Sequence, residues 1–420
     1  MVDTNEESKK DVEKDKTDIT NIVQQKLLEE NRIKPIFNEK VRVLIMTQGY
    51  QSIYHAKLTI VCKEGIVIDQ NGKLSEYSPG SEITLTKKDF EGNQPICIVG
   101  KNNSRLQIKN INRNCSAQYR GKLECYVVSE GIVVINELLV EEYLYSVVSS
   151  EMPSTYPEEA LKAQAISART YTYFHKKNYA YPEWKAHMDD STAFQVYMNC
   201  EETPSVVKAV NETKNQVLTY NNEIVESFYY STSSGYNGGA SVWNDNISTA
   251  DMYLIETGEE IYAVGSEEGE RCYQMFIDNG NETDIEYDEA WYRWNYNRLF
   301  DKNTVKKLLT KLYQLSQTQP EKVLIRSRFL PSDQLENEDV IQDIRILSRK
   351  KSGMVAGIMI ETEHFRVSVM SQHLIRQALG CAKDVITRND GSSYTMGDIL
   401  PSAYFYIEKI YDKNGEKGDT

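Results

Sequence analysis

No window of this 420-residue chain approaches the ~20 consecutive apolar residues that cross a bilayer. Its first residues, Met1-Val2-Asp3-Thr4-Asn5-Glu6-Glu7, lack the apolar run of a secretory leader. The seven cysteines (Cys62, Cys97, Cys115, Cys125, Cys200, Cys272 and Cys381) contain no C-x-x-C pair and no Cys/His grouping at zinc spacing. Their odd number argues against a complete disulfide framework. Cys115 and Cys125 have the spacing to face one another across a hairpin, and scattered buried thiols are the other reading. Only five histidines are present, which leaves few routes to His-based catalysis. Cations are in deficit too. Lys and Arg number 48 against 62 Asp and Glu, a net charge of −14. That balance argues against nucleic acid as a partner, because phosphate neutralisation supplies most non-specific affinity.

What is present is globular material, 40% hydrophobic and 26% charged. The length suits two or three domains of ~150 residues and a core that needs no staple. Residues 1–35 are dominated by Glu, Lys, Asp, Asn and Thr, and read as a disordered tail or spacer from an anchor, with at most a frayed helix over 22–28. Residues 36–137 read as a β-rich lobe. Short β-branched runs such as Val41-Arg42-Val43-Leu44-Ile45 and Ile96-Cys97-Ile98-Val99 are punctuated by Gly, Asn, Pro and Ser.

The period then changes. Val140, Tyr143, Leu144, Val147 and Val148 fall on one helical face, and Pro153 ends that segment. A second helix is expected from about Pro157 to Lys177, with Glu158 and Glu159 in its first turn. Four alanines let another element approach it closely. A hairpin is expected around Asn221-Asn222, and a Ser/Gly loop over 231–239. Further on come a helix over about 301–315, strands at 340–347, 355–361 and 365–370, and a short helix capped by Gly380. Residues 246–335 read as an insertion of unclear role, and 336–420 as strands returning to the body. The fold class expected is α+β, a β-rich body with a two-helix catalytic segment packed on it.

Glu151 lies four positions after Val147 and seven after Leu144, so it continues the apolar stripe at the C-terminal end of the helix. Burial and the negative end of the helix dipole both disfavour its carboxylate. A carboxylic acid that stays protonated near neutrality is what cleavage of a glycosidic bond requires. A helix-terminal Glu that turns to solvent or meets a cation is the alternative from periodicity alone.

The run from Asn136 through Val140-Glu141-Glu142-Tyr143-Leu144 to Ser149-Ser150-Glu151-Met152-Pro153 resembles the signature of the stage II sporulation protein D family, which includes amidase-enhancer proteins. The likeness continues in order through Glu159-Ala160-Leu161-Lys162-Ala163-Gln164-Ala165, Ala168-Arg169-Thr170-Tyr171, Gln195-Val196-Tyr197 and Ala209-Val210-Asn211-Glu212-Thr213-Lys214. It closes with Phe228-Tyr229-Tyr230-Ser231-Thr232-Ser233-Ser234-Gly235-Tyr236. On this resemblance residues 138–245 form the catalytic core of a peptidoglycan lytic transglycosylase, with Glu151 as acid and base and no cofactor. Ser231, Thr232, Ser233, Ser234, Gly235, Tyr236, Arg169, Gln195 and Tyr197 are then the candidates for binding substrate.

Arg169 has pairing with an acid as its alternative, and Tyr197 has packing. Trp291 and Trp294 would stack on sugars or anchor a core. Asp189-Asp190 read as an exposed turn, with a second catalytic carboxylate or a metal ligand as the alternative. Some relatives hold zinc near this segment, but Phe194 stands where they carry Cys, so no metal is expected although His187 is present. The partners implied are peptidoglycan glycan strands and a cell-wall amidase or other wall hydrolase. The alternative function is a non-catalytic wall binder that enhances an N-acetylmuramoyl-L-alanine amidase. The setting implied is extracellular or cell-envelope, with a membrane anchor supplied by an N-terminal segment outside this chain.

Overall fold

The computed structural model describes residues 39–242, 252–327 and 339–409. The expected tail, its 22–28 helix and the loose residues 414–420 lie outside the described residues. The chain divides into two compact units, residues 1–229 and 230–420. That division falls inside the expected 138–245 segment, so Glu151 belongs to the first unit and the loop 231–236 to the second.

The first unit is built on β1 (Lys40–Ile45), β2 (Leu58–Cys62), β3 (Ile66–Gln70), β4 (Lys73–Tyr77), β5 (Glu82–Leu85), β6 (Ile96–Gly100), β7 (Leu106–Asn112), β8 (Ser116–Tyr119), β9 (Lys122–Val127), β10 (Ile132–Leu139) and the two-residue β11 (Met188–Asp189). They form a seven-stranded sheet, β11-β1-β10-β9-β6-β3-β4, and a four-stranded sheet, β5-β2-β7-β8. Pairing is antiparallel except for β1 with β11. β10 shows why its sequence is almost continuously apolar. Ile132, Val134 and Leu138 enter the main core, while Val133 and Ile135 enter a small second one with Leu44 and Ala186. Both faces of a period-2 strand are therefore covered.

The chain passes from β10 straight into α1 (Val140–Glu151). Val140, Tyr143, Leu144, Val147 and Val148 are buried in the main core, as their spacing requires. Met152 is extended, the conformation a residue before proline prefers, so the helix stops at Glu151. α2 (Glu158–His175) and α3 (Pro204–Glu212) pack beside α1, with Ala165 and Ala168 of α2 fully buried. Pro157 is the cap of α2, not its first turn. The hairpin around Asn221-Asn222 is present but short, β12 (Thr219–Tyr220) with β13 (Glu223–Ile224), both asparagines at positive φ. The second strand of that hairpin ends at Ile224.

In the second unit β14 (Trp294–Asn295), β15 (Val323–Ser327), β16 (Ile341–Arg349), β17 (Val355–Thr362), β18 (Phe365–Val369), β19 (Val385–Arg388) and β20 (Ser393–Thr395) form two sheets, β15-β18-β17-β16 and β14-β19-β20. Among the described residues the strands after residue 335 thus pair with one another and with β14 and β15. They bury Val355, Ile358, Ile360, Val367 and Val369 in their own core, to which the helices α5 (Lys302–Thr318) and α6 (Gln372–Leu379) supply Leu308, Leu312 and Ile375, while α4 (Glu267–Asn279) contributes no residue to that core. Gly380 follows α6 with φ −68°, so it is not a left-handed cap. It is glycine because a Cβ there would lie 2.6 Å from Ile399 Cα.

Candidate active site

Glu151 ends α1 and is partly buried. Its Oε1 accepts the Val196 backbone N–H at 2.7 Å and the Tyr229 hydroxyl at 3.3 Å. Burial raises its pKa, and these two hydrogen bonds only partly offset that. Its place at the helix C-terminus acts in the same upward direction as burial. Among the described residues nothing hydrogen-bonds Oε2, which is not sealed from solvent. Because Oε1 already serves two donors, the acid proton belongs on Oε2.

The Val196 N–H is there because residues 195–199 lie along α1 outside any sheet, and their backbone donors need partners. α1 provides them from one face. The Met198 N–H donates to Ser150 Oγ at 3.1 Å and the Asn199 N–H to Ser146 Oγ at 2.9 Å. Tyr197 is fully buried and donates to Asn136 Oδ1 at 2.8 Å, and Asn136 in turn donates to the Arg120 and Lys122 carbonyls. Gln195 is buried and donates to the Ala168 carbonyl of α2. A Cys115–Cys200 disulfide ties the end of the segment to the turn before β8. This corrects the expectation of scattered thiols or a Cys115–Cys125 pair. The bridge joins residues 85 apart in sequence, a separation that no local spacing signals.

Tyrosines surround the acid. Tyr143, Tyr171 and Tyr229 all have pKa values raised by burial, and the charge of Glu151 raises each further. His175 packs against Tyr171 at 4.1 Å and edge-on to Phe194 at 5.8 Å, and burial lowers its pKa to about 4, so it is neutral near pH 7. Among the described residues no other carboxylate acts on Glu151.

The remaining candidates are placed as follows. Arg169 is fully buried, paired bidentately with Glu141 at 2.8 and 2.9 Å, and donates to the Val210 and Gln216 carbonyls. It clamps α2 to α1 and the end of α3, the acid-pairing alternative, and presents no free face to a substrate. Gln195 and Tyr197 likewise position the Val196 backbone through buried side chains. Ser231, Thr232, Ser233, Ser234 and Tyr236 line a groove of the second unit. Gly235, at φ 108°, lets that loop turn beside Phe276. Trp291 and Trp294 are partly buried against the second core and line the same groove.

Asp189 and Asp190 are not an exposed turn; both are buried. Asp189 accepts from Tyr181 and Ser191, and Asp190 pairs with Arg113 at 2.8 Å and accepts the Met46 N–H. Asp190 is raised to about 6 by burial, which Arg113 partly counters. The potential zinc ligands of this region are engaged. His187 Nδ1 accepts the Arg42 N–H, and Cys200 is in the disulfide. Asp339, Glu363 and His364 bring ligand atoms within 4.8 Å of one another in the second unit, but Asp339 already accepts from Val340, Thr362 and Glu363.

Sequence reasoning pointed to Glu151 and gave no sign of its neighbours Tyr229, Ser146, Ser150 and the Val196 N–H. Tyr229 stood in a quoted block with no chemical signal of its own. The other groups become visible only once residues 195–199 are laid on α1.

Residues 128–220 match the family model described as Stage II sporulation protein. Stage II sporulation protein D of Bacillus subtilis (strain 168) is 37% identical over 123 residues, 26% of this chain and 36% of that protein. Its counterpart in Bacillus amyloliquefaciens is 32% identical over 123 residues, with the same coverage of 26% and 36%. The Amidase enhancer of Bacillus subtilis (strain 168) is 37% identical over 113 residues, 27% of this chain and 14% of that protein. The chain therefore spans little more than a third, at most, of these relatives' length.

Proposed function

Since this chain belongs, through residues 128–220, to the stage II sporulation protein D and amidase-enhancer family, we propose that it is a peptidoglycan lytic transglycosylase with Glu151 as its single acid and base. The observation that carries this reading is the carboxyl group itself. Burial raises its pKa, two donors hold Oε1, and Oε2 has no hydrogen-bond partner among the described residues. In the first half-reaction Oε2–H protonates the oxygen linking N-acetylmuramic acid to N-acetylglucosamine, and the C1–O bond breaks. In the second, the carboxylate takes the proton of the C6 hydroxyl as O6 bonds to C1. A 1,6-anhydro ring closes and Glu151 is regenerated, with no water consumed. Retaining hydrolysis needs a second carboxylate about 5–5.5 Å away; this route needs none, consistent with the absence of another acid acting on Glu151 among the described residues.

The tyrosines suit the cycle. Tyr229 donates to Oε1 in both protonation states, and its own raised pKa keeps it a donor. The Cys115–Cys200 bridge supports an oxidising, extracytoplasmic setting. The likeness to the Amidase enhancer keeps a second reading, a wall binder that stimulates a separate amidase. Mass spectrometry of digested glycan strands tests the proposal. Products ending in 1,6-anhydromuramic acid are expected. Reducing ends would mean hydrolysis, and no products together with stimulation of an added amidase would select the second reading.

A further inference from the structure

The groove of the second unit has a volume of about 2230 Å³ and combines aromatic rings with arginines outside any ion pair among the described residues. Trp291, Trp294 and Tyr394 line it, Tyr394 edge-on to Trp291 at 4.9 Å. Arg298, Arg376 and Arg388 line it too. Elsewhere in this unit Arg345, Arg349 and Arg366 pair with Glu361 and Glu270. Among the described residues none of these three arginines makes an ion pair, in a chain where acids outnumber bases by 62 to 48.

Each is instead fixed by neutral groups that leave a guanidinium edge open. Arg376 donates from Nε and Nη2 to the Leu400 and Pro401 carbonyls, and Nη1 has no partner among the described residues. Arg298 donates to the Leu379 carbonyl and lies over Phe300. Arg388 donates to Ser392 Oγ and lies 5.4 Å over Trp291, while its neighbour Asp390 is engaged by Ser392. Of the groove's five acids, Asp343 and Glu361 are held by Arg345, Arg366 and Lys409, Asp278 by the Tyr406 hydroxyl, and Glu363 and Glu408 also line it without an ion pair to Arg298, Arg376 or Arg388 among the described residues. A partly buried cation without a counter-ion is costly, and guanidinium forks match carboxylate and phosphate geometry.

We propose that this groove, formed within the second unit, is a binding site for an oxyanion-bearing saccharide polymer, whose sugar rings lie on Trp291, Trp294 and Tyr394 and whose anionic groups meet Arg298, Arg376 and Arg388. The ligand class is a chain of sugars or sugar alcohols carrying carboxylates or phosphates. The inference deepens the wall-acting reading, but it does not depend on Glu151 chemistry.

The test uses the full chain carrying Glu151→Gln, so that binding is measured without cleavage. Three soluble probes are titrated: peptide-free glycan strands with muramyl carboxylates, the same strands with those carboxylates converted to methylamides, and a polyol-phosphate wall polymer. Binding to the carboxylate strands that falls at least tenfold on amidation assigns the carboxylate source. Tight binding to the polyol phosphate assigns the phosphate source. In either case Arg298→Gln/Arg388→Gln is expected to weaken binding at least tenfold at unchanged thermal midpoint, and Trp291→Ala to weaken it independently. Binding to no probe, or binding within twofold in the arginine double variant, overturns the inference. A wild-type chain that makes no anhydro ends while the Glu151→Gln chain still binds would refute the transglycosylase reading alone.

Discussion

Replacing Glu151 with Gln removes one exchangeable proton and little else. Gln keeps a carbonyl oxygen in the place of Oε1, so the Val196 N–H and Tyr229 hydroxyl retain their acceptor. Loss of general-acid catalysis costs about 10²–10⁴-fold in rate, and here the same group is also the base, so the upper part of that range is expected. Stability moves the other way. The folded-state pKa of Glu151 is raised, so the native state binds more protons than the unfolded state between the two pKa values. Stability is then fully present below the unfolded pKa and falls as pH rises through the folded one. Gln has no charge to bury, so the variant loses this pH-dependent penalty. Its unfolding free energy should stay within ~1 kcal/mol of wild type at pH 7 and gain on wild type as pH rises from 4 to 8. Anhydro-product formation by mass spectrometry and urea unfolding across that range measure both effects. A variant that keeps more than a tenth of wild-type cleavage, or whose stability falls relative to wild type with rising pH, would refute the reasoning.

Wild-type kcat/KM should decline with pH above an apparent pKa higher than that of an ordinary glutamate, because the acid form is the reactive one. Tyr229→Phe removes a hydrogen bond that lowers this pKa, so the declining limb should move to higher pH; a shift to lower pH would count against the assignment of the Oε1 donors. Arg169→Ala should destabilise the first unit by roughly 3–5 kcal/mol, since it strands Glu141 in a partly buried site. Were Arg169 a substrate ligand, chemical denaturation would instead show normal stability with a raised KM. Cys115→Ser/Cys200→Ser should cost about 2–4 kcal/mol and reduce cleavage, since the bridge anchors the segment that carries Val196. Equal melting temperatures with and without reductant would contradict this.

The elements legible in the sequence were those whose period or cap is local. α1 was readable because Val140, Tyr143, Leu144, Val147 and Val148 encode one face, and α2 because Pro157 marks its start and its alanines favour a helix. Glu151 was readable for the same reason, at the end of a stripe. The short 195–199 segment carries no period, because its partners are hydroxyls and a carboxyl on a helix 45 to 53 residues earlier.

Periodicity and capping therefore settled the α+β class and set an acid on the apolar side of a helix end, since both follow from residue spacing within a few turns. Which oxygen keeps the proton, that Arg169 is a clamp, that Cys115 meets Cys200, and that the late strands build a separate core were decided only by tertiary structure. Each of these depends on which distant groups come within hydrogen-bonding or packing range, and chain closure over tens of residues leaves no mark on the local pattern.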